Sequence, residues 1–141
     1  MRKRLFLVLS LLLIGLLCGY LFSRTLNVSS RSVPKGYTGY LVCQSCGETG
    51  QSMDCDGVDI RKCPEMHTVN CLRMYTCVTS GFGIFIKNTD GSYRYCKFDK
   101  KGSDLAYKNI VAQTKKTDHL QVEVTGKLLN DTISVESISE R

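Results

Sequence analysis

Cysteine is the residue type on which any chemistry of this chain would depend. Six of its eight cysteines lie between Cys43 and Cys77, in a stretch of 35 residues that also contains His67. Thiolates and imidazoles bind zinc, and paired thiols form disulfides or exchange electrons. Metal binding, disulfide formation and thiol redox chemistry are therefore the three functions to weigh, and all three fall on this Cys-rich stretch.

Four residues in the stretch have the types and spacing of a zinc site. Cys43 and Cys46 form a C-x-x-C pair followed by glycine, as in zinc knuckles. His67 and Cys71 would lie one turn apart on a helix that began by His67. The predicted metal ligands are therefore Cys43, Cys46, His67 and Cys71, and zinc is the one cofactor that the sequence suggests. Two disulfides could then form from the remaining cysteines, Cys55, Cys63, Cys77 and Cys96.

The N-terminus predicts a membrane segment. Basic residues at positions 2–4 precede an apolar run from Leu5 to Phe22, and Arg24 follows it. Such a run spans about 27 Å as a helix, close to the roughly 30 Å of a bilayer core. No pair of small residues marks a cleavage site, so an uncleaved anchor over residues 1–24 is favoured over a signal whose cleavage would give a secreted protein. The positive-inside rule then predicts a single-pass cell-membrane protein with its C-terminal domain outside the cytoplasm.

Outside the cytoplasm, disulfides are favoured over zinc. The seven cysteines beyond Cys18 would form up to three bridges, with one thiol left over. The zinc pattern is weaker because its second pair lacks the tight C-x-x-C spacing. Redox cycling of Cys43 and Cys46 is a third interpretation. It is disfavoured because a Gly-, Ser- and Asp-rich loop follows Cys46, where a redox protein would continue into a βαβ unit.

The charge of the chain gives no case for a nucleic-acid partner. The net charge is +6, but residues 1–24 contribute +4, and the remaining fifteen basic and thirteen acidic residues nearly cancel. A balanced domain lacks the positive field that attracts a phosphate backbone. The expected partners are the membrane, through the N-terminal helix, and an unidentified protein or small molecule.

After a linker at residues 25–36, one domain is expected over residues 37–141. Alternating patterns predict five strands, at residues 37–42, 82–87, 92–98, 120–128 and 132–138. Helices are expected over residues 69–80, capped by Thr68, and 104–116, capped by Ser103. A helix between the third and fourth of five strands is the order of an OB-type barrel. The predicted fold is therefore mainly β (α+β), a small OB-like five-stranded barrel with one or two helices. An open antiparallel sheet packed on two helices is the alternative.

Several short motifs follow one another along the domain: Gly39-Tyr40, His67-Thr68 with Cys71 and Cys77, Ser80-Gly81-Phe82-Gly83, the Asp90-Gly91 hairpin, and Val122–Gly126 before Ile133-Ser134-Val135. In this order, over residues 36–139, the chain resembles a group of small secreted or membrane-anchored bacterial domains of OB-like fold without assigned function. The resemblance implies an OB-like extracytoplasmic module. Cys55, Cys63 and Cys96 depart from the pattern, so no arrangement of cysteines is carried over from it.

The sequence lacks the motifs of common enzymes. It contains no G-x-S-x-G, no G-x-x-x-x-G-K and no H-E-x-x-H, and its two histidines leave few candidates for a general base. No catalytic residue is predicted. The expected function is a non-catalytic, membrane-anchored extracytoplasmic module stabilised by disulfides, with zinc binding or thiol-disulfide redox activity as the alternatives.

Overall fold

The computed structural model describes residues 33–52 and 57–141, which contain five strands and four short α-helices. Val33–Arg141 forms one compact unit. The strands are β1 (Lys35–Cys43), β2 (Phe82–Lys87), β3 (Tyr93–Phe98), β4 (Gln121–Leu129) and β5 (Thr132–Glu140). The helices are α1 (Gln44–Thr49), α2 (Val69–Arg73), α3 (Tyr75–Ser80) and α4 (Lys100–Ala106). A 3-10 turn (Pro64–Met66) precedes α2, and a π-helical turn (Tyr107–Val111) continues α4. The fold is mainly β, and a Cys-rich insert (residues 44–81) separates β1 from β2.

All five of these strands belong to one sheet with the order β1-β2-β3-β5-β4. Neighbouring strands are antiparallel, except that β3 and β5 are parallel over a short stretch. β4 also pairs with β1, so the sheet closes into a ring. Each strand then has two neighbours, which removes the exposed edges that favour aggregation. The helix predicted between the third and fourth strands is confirmed.

The inner face of the ring carries the core. Leu41, Ile84 and Cys96 lie opposite one another on adjacent strands, and all three are buried. β4 shows the alternation expected from the sequence, with Val122 and Val124 buried and the residue between them exposed. Full burial of an aliphatic side chain contributes roughly 1.5–3 kcal/mol. This inner layer therefore supplies much of the free energy that holds the ring together.

The outer face of β1 and β2 is buried as well, beneath the insert. Val42 and Phe85 alternate with inward-facing neighbours and so point outwards, yet they are only 0 % and 1 % exposed. The insert contacts both strands and contributes Ile60, Val69 and Leu72 to the same buried cluster. It is therefore part of the domain core rather than a loose loop.

The helix after β3 begins earlier than predicted. The expected span of residues 104–116 is wrong, because α4 covers Lys100–Ala106 and ends in the π-helical turn. The Asp99 carboxylate caps it by accepting a hydrogen bond from the Gly102 amide at 2.8 Å. Ser103, the predicted cap, instead accepts a hydrogen bond from an amide of β2 at 3.0 Å.

The helix predicted over residues 69–80 is divided in two. Thr68 caps α2 as expected, since its hydroxyl accepts a hydrogen bond from the Cys71 amide at 3.0 Å. Met74 then adopts an extended conformation, with φ −62° and ψ 141°, and α3 begins at the next residue. This break redirects the chain so that Cys71 and Cys77 lie on separate helices.

Part of the predicted organisation lies outside the described residues. This holds for the anchor over residues 1–24 and for residues 25–32 of the linker. The last linker residues, Lys35 and Gly36, already belong to β1. In the two described ranges, no helix is both long enough and apolar enough to cross a membrane.

Candidate metal centre

Five donor side chains from separate elements meet in the interior, and we call them the donor cluster. Cys43 is the last residue of β1, Cys46 lies in α1, and His67 lies between the 3-10 turn and α2. Cys71 lies in α2 and Cys77 in α3. All five are at most 3 % exposed. Residues spread over 35 positions thus converge at one buried point, four of them from the insert.

The sulfur–sulfur distances in the donor cluster match the edges of a tetrahedral zinc site. Cys71 Sγ lies 3.6 Å from Cys77 Sγ and 3.9 Å from Cys46 Sγ. Tetrahedral Zn–S bonds of about 2.3 Å put neighbouring sulfurs about 3.8 Å apart. The donor atoms of Cys43, Cys46 and Cys77 lie within 4.8 Å of one another, and so do those of Cys46, His67 and Cys71. Cys46 belongs to both groups, and the Cys71 sulfur of one group contacts the Cys77 sulfur of the other, so the five donors form one cluster.

Local backbone structure places the first pair of sulfurs. Cys43 is the extended residue before α1 and Cys46 lies in the first turn, so the C-x-x-C spacing folds the two thiols together. The side-chain amide of Gln44 holds this turn against the sheet by donating to the Phe98 carbonyl at 3.1 Å and to a β2 carbonyl at 3.3 Å. Gly50 ends α1 with φ 78°, a conformation that glycine adopts without strain.

The buried side chain of His67 could coordinate a cation. Its side chain is 1 % exposed, and neither Nδ1 nor Nε2 has a hydrogen-bond partner in the described part of the chain. A buried polar group without a partner is destabilising by about 1–3 kcal/mol. A metal bound to one ring nitrogen would offset that loss. The donors present therefore fit a metal ion.

The charges in the donor cluster also favour a cation. Burial by itself would lower the pKa of His67, but the thiols of Cys43 and Cys71 outweigh it and raise that pKa to about 9. The contact between Cys43 and Cys46 lowers the pKa of Cys43 and raises the pKa of Cys46. Burial, followed by contact with Cys43, raises the pKa of Cys77. One thiolate therefore forms at the expense of the others, whereas a bound cation would allow several thiols to ionise.

The structure brings together all four residues that the sequence suggested as ligands: Cys43, Cys46, His67 and Cys71. The reason given for the second pair is wrong, however, because His67 precedes α2 instead of lying on it. Cys77, which the sequence assigned to a disulfide, is the donor that sequence reasoning missed. Its spacing of six residues from Cys71 matches no zinc pattern, and only the break at Met74 brings the two sulfurs together.

None of the six described cysteines forms a disulfide. The Sγ atoms of Cys71 and Cys77, at 3.6 Å, are far outside the bonding distance of about 2.05 Å. Cys63 and Cys96 do not belong to the donor cluster, and Cys55 lies outside the described residues. The disulfide framework therefore stays a prediction.

Comparisons with known proteins leave the donor cluster to be interpreted from its own geometry. No family model, curated protein or solved structure matches the chain. The resemblance to bacterial OB-like domains thus stays a prediction.

Proposed function

We propose that this protein is a non-catalytic zinc-binding module whose donor cluster holds one ion. The observation that carries the proposal is the tetrahedral spacing of buried sulfurs, 3.6 Å and 3.9 Å, beside a buried histidine without a hydrogen-bond partner in the described residues. Thiolate and imidazole donors in a four-coordinate set are the ligands of structural zinc. Cys43, Cys46 and Cys71 supply three positions, and His67 or Cys77 supplies the fourth.

The burial of the donors supports a structural role. A catalytic zinc keeps one open position for water or substrate. Here all five donor side chains are at most 3 % exposed. The ion would connect the end of β1 to α1, α2 and α3, and would thereby hold the insert over the apolar outer face of the sheet.

The wider assignment combines the ring with the N-terminal sequence. The strand order, the parallel contact between β3 and β5, and the helix before β4 support an OB-like barrel with an insert between its first two strands. Residues 1–24 would anchor this module to the cell membrane, on the outer side. Its partner would be a protein or a small molecule rather than nucleic acid.

A thiol redox protein is the second candidate, and one observation favours it. Cys43 has a lowered pKa and lies directly before α1, as the nucleophile of a redox C-x-x-C pair does. A redox nucleophile must reach its substrate, however, and Cys43 is 0 % exposed. The zinc proposal accounts for this burial and for His67 as well.

Metal analysis of the full-length protein, purified anaerobically in detergent, tests the proposal. We expect about one zinc per chain. Cys46→Ser should remove it, because Cys46 belongs to both donor groups. Cys63→Ser, which removes a thiol outside the donor cluster, is the matched control and should keep the zinc. Wild-type protein without zinc, in which thiol labelling after denaturation finds no more than two reduced cysteines, Cys18 and the one left over, would instead support the disulfide framework.

A further inference from the structure

The donor cluster contains one donor more than a tetrahedral ion needs. If Cys43, Cys46 and Cys71 supply three positions, His67 and Cys77 are the two candidates for the fourth. Cys46 lies within 4.8 Å of each of the other four donors. Either candidate can therefore complete a set built on the same three thiolates.

The two candidates approach the shared thiols from different elements. The donor atoms of His67, Cys46 and Cys71 lie within 4.8 Å of one another. The same holds for Cys77, Cys43 and Cys46, and the Cys77 sulfur also lies 3.6 Å from the Cys71 sulfur. A ligand can thus be gained on one side of the ion while another is lost on a different side. Such an exchange avoids a three-coordinate ion in the poorly solvated interior.

α3 brings Cys77 into the donor cluster from the surface. It is a surface helix in which Cys77 is the one buried residue, and its first residue, Tyr75, is 82 % exposed. The extended backbone at Met74 separates it from α2. Its other end is tied to α1, because the Gln44 backbone amide donates to the Gly81 carbonyl at 2.8 Å and the Ser45 amide donates to the Ser80 hydroxyl at 3.4 Å.

We propose that His67 and Cys77 alternate at the fourth coordination position, so that the ion has two four-coordinate states. This inference rests on the proposed zinc site.

The exchange is a ligand substitution without electron transfer. The bond from zinc to the His67 nitrogen breaks as the bond to the Cys77 sulfur forms. The proton of the Cys77 thiol moves to the released imidazole, so the total charge of the donor cluster is unchanged. The set changes from three sulfurs and one nitrogen to four sulfurs.

The rate of zinc release from the full-length protein to an excess of a chromophoric chelator tests the exchange. Cys77→Ala keeps a complete set with His67, so it should still hold about one zinc. It should release that zinc roughly tenfold more slowly than wild type, a barrier higher by ~1.4 kcal/mol, because the exchange route is missing. Cys63→Ala removes a thiol outside the donor cluster and should release zinc at the wild-type rate.

Equal or faster release from Cys77→Ala would overturn the exchange. Loss of zinc from that variant would also overturn it, because Cys77 would then be an obligatory ligand while the zinc site itself stood. Wild-type protein without zinc would overturn both proposals. Cobalt-substituted wild type provides a second measurement that needs no variant. Its absorption spectrum should contain both the four-sulfur and the three-sulfur, one-nitrogen forms, and a single form would contradict the exchange.

Discussion

Gly47 in α1 is the position where one added methyl group should disturb the donor cluster. It is buried, follows Cys46 and lies against the ring of Tyr95. A Cβ at position 47 would lie 2.8 Å from Cδ2 and 2.9 Å from Cζ of Tyr95, and closer still to Cε2. The ring has little room to move, because β2 approaches it at Gly83, where a Cβ would lie 2.7 Å from the same Cε2.

These distances give the size of the effect. Carbon atoms in ordinary contact are about 3.5–4.0 Å apart, so Gly47→Ala requires α1 or the ring to move by about 1 Å. Overpacking of this kind is destabilising by roughly 1–3 kcal/mol, and the approach of β2 places Gly47 near the upper value. Alanine favours a helix over glycine by about 1 kcal/mol. The free energy of unfolding should therefore fall by about 2 kcal/mol.

Urea unfolding of the full-length protein in detergent, followed by circular dichroism, measures this change. Gly36→Ala is the matched control, because a Cβ at position 36 meets nothing within 4 Å and should change the free energy by at most about 0.5 kcal/mol. In a Tyr95→Ala background the clash partner is gone, so Gly47→Ala should no longer be destabilising and should raise the free energy of unfolding by up to about 1 kcal/mol. The reasoning fails if Gly47→Ala is as mild as Gly36→Ala, or if its effect persists in that background.

Two further predictions concern the cap of α4 and the insert. Asp99→Ala should lower the free energy of unfolding by about 1 kcal/mol at neutral pH. Burial raises the pKa of Asp99, but hydrogen bonds from Ser134 and two backbone amides bring it below its usual value. This stabilisation is thus present above about pH 4 and lost as the pH falls through the folded-state pKa, so an unfolding difference that persists near pH 2 would contradict it. Chelation of zinc should expose the insert to proteases and amide exchange before the ring, reversibly on adding zinc back, and simultaneous exposure of both would refute this prediction.

The sequence predicted best those parts of the fold that depend on chain neighbours. Strand β4 follows from its strict alternation, and the turn after it follows from Asn130 and Asp131, which adopt φ 49° and 59° as a two-residue hairpin turn requires. The residue that caps α4, by contrast, is determined by a contact with a residue far away in the sequence. Asp99 and Ser103 are both good caps by residue type, and the Ser134 hydroxyl, which donates to Asp99 at 2.8 Å, favours Asp99. The sequence near the helix therefore could not show that Asp99, and not Ser103, is the cap.

The donors of the candidate site were also predicted only in part. Residue type and C-x-x-C spacing were enough to suggest four donors. The fifth, Cys77, depends on the path of the insert over the sheet, which is fixed by the burial of Ile60 and Leu72 and by the break at Met74. These contacts join residues that are far apart in sequence, so their effect on the sulfurs could not be derived from spacing.

Hydrogen bonds to the segment before β4 hold the insert in place independently of any ion. The Val69 amide donates to the Thr117 carbonyl at 2.8 Å, and the His119 amide donates to the Glu65 carbonyl at 3.1 Å. His119 has φ 51°, which residues other than glycine rarely adopt, so this second bond is made against local preference. The Arg73 guanidinium donates to two carbonyls at the end of the π-helical turn and just beyond it, at 3.0 Å and 2.8 Å.

These bonds involve Glu65, Val69 and Arg73, so each of the donors His67 and Cys71 has a hydrogen-bonded residue two positions away on both sides. They fix the backbone of two donors before an ion arrives, and Gln44 does the same for the turn that carries Cys43 and Cys46. Prepositioned ligands reduce the ordering that binding requires and so strengthen it. Hydrogen bonds also tie the end of α3 to α1, since the Ser45 amide donates to the Ser80 hydroxyl at 3.4 Å and the Gln44 backbone amide donates to the Gly81 carbonyl at 2.8 Å. The helices that carry Cys46, Cys71 and Cys77 are therefore held near one another before an ion binds.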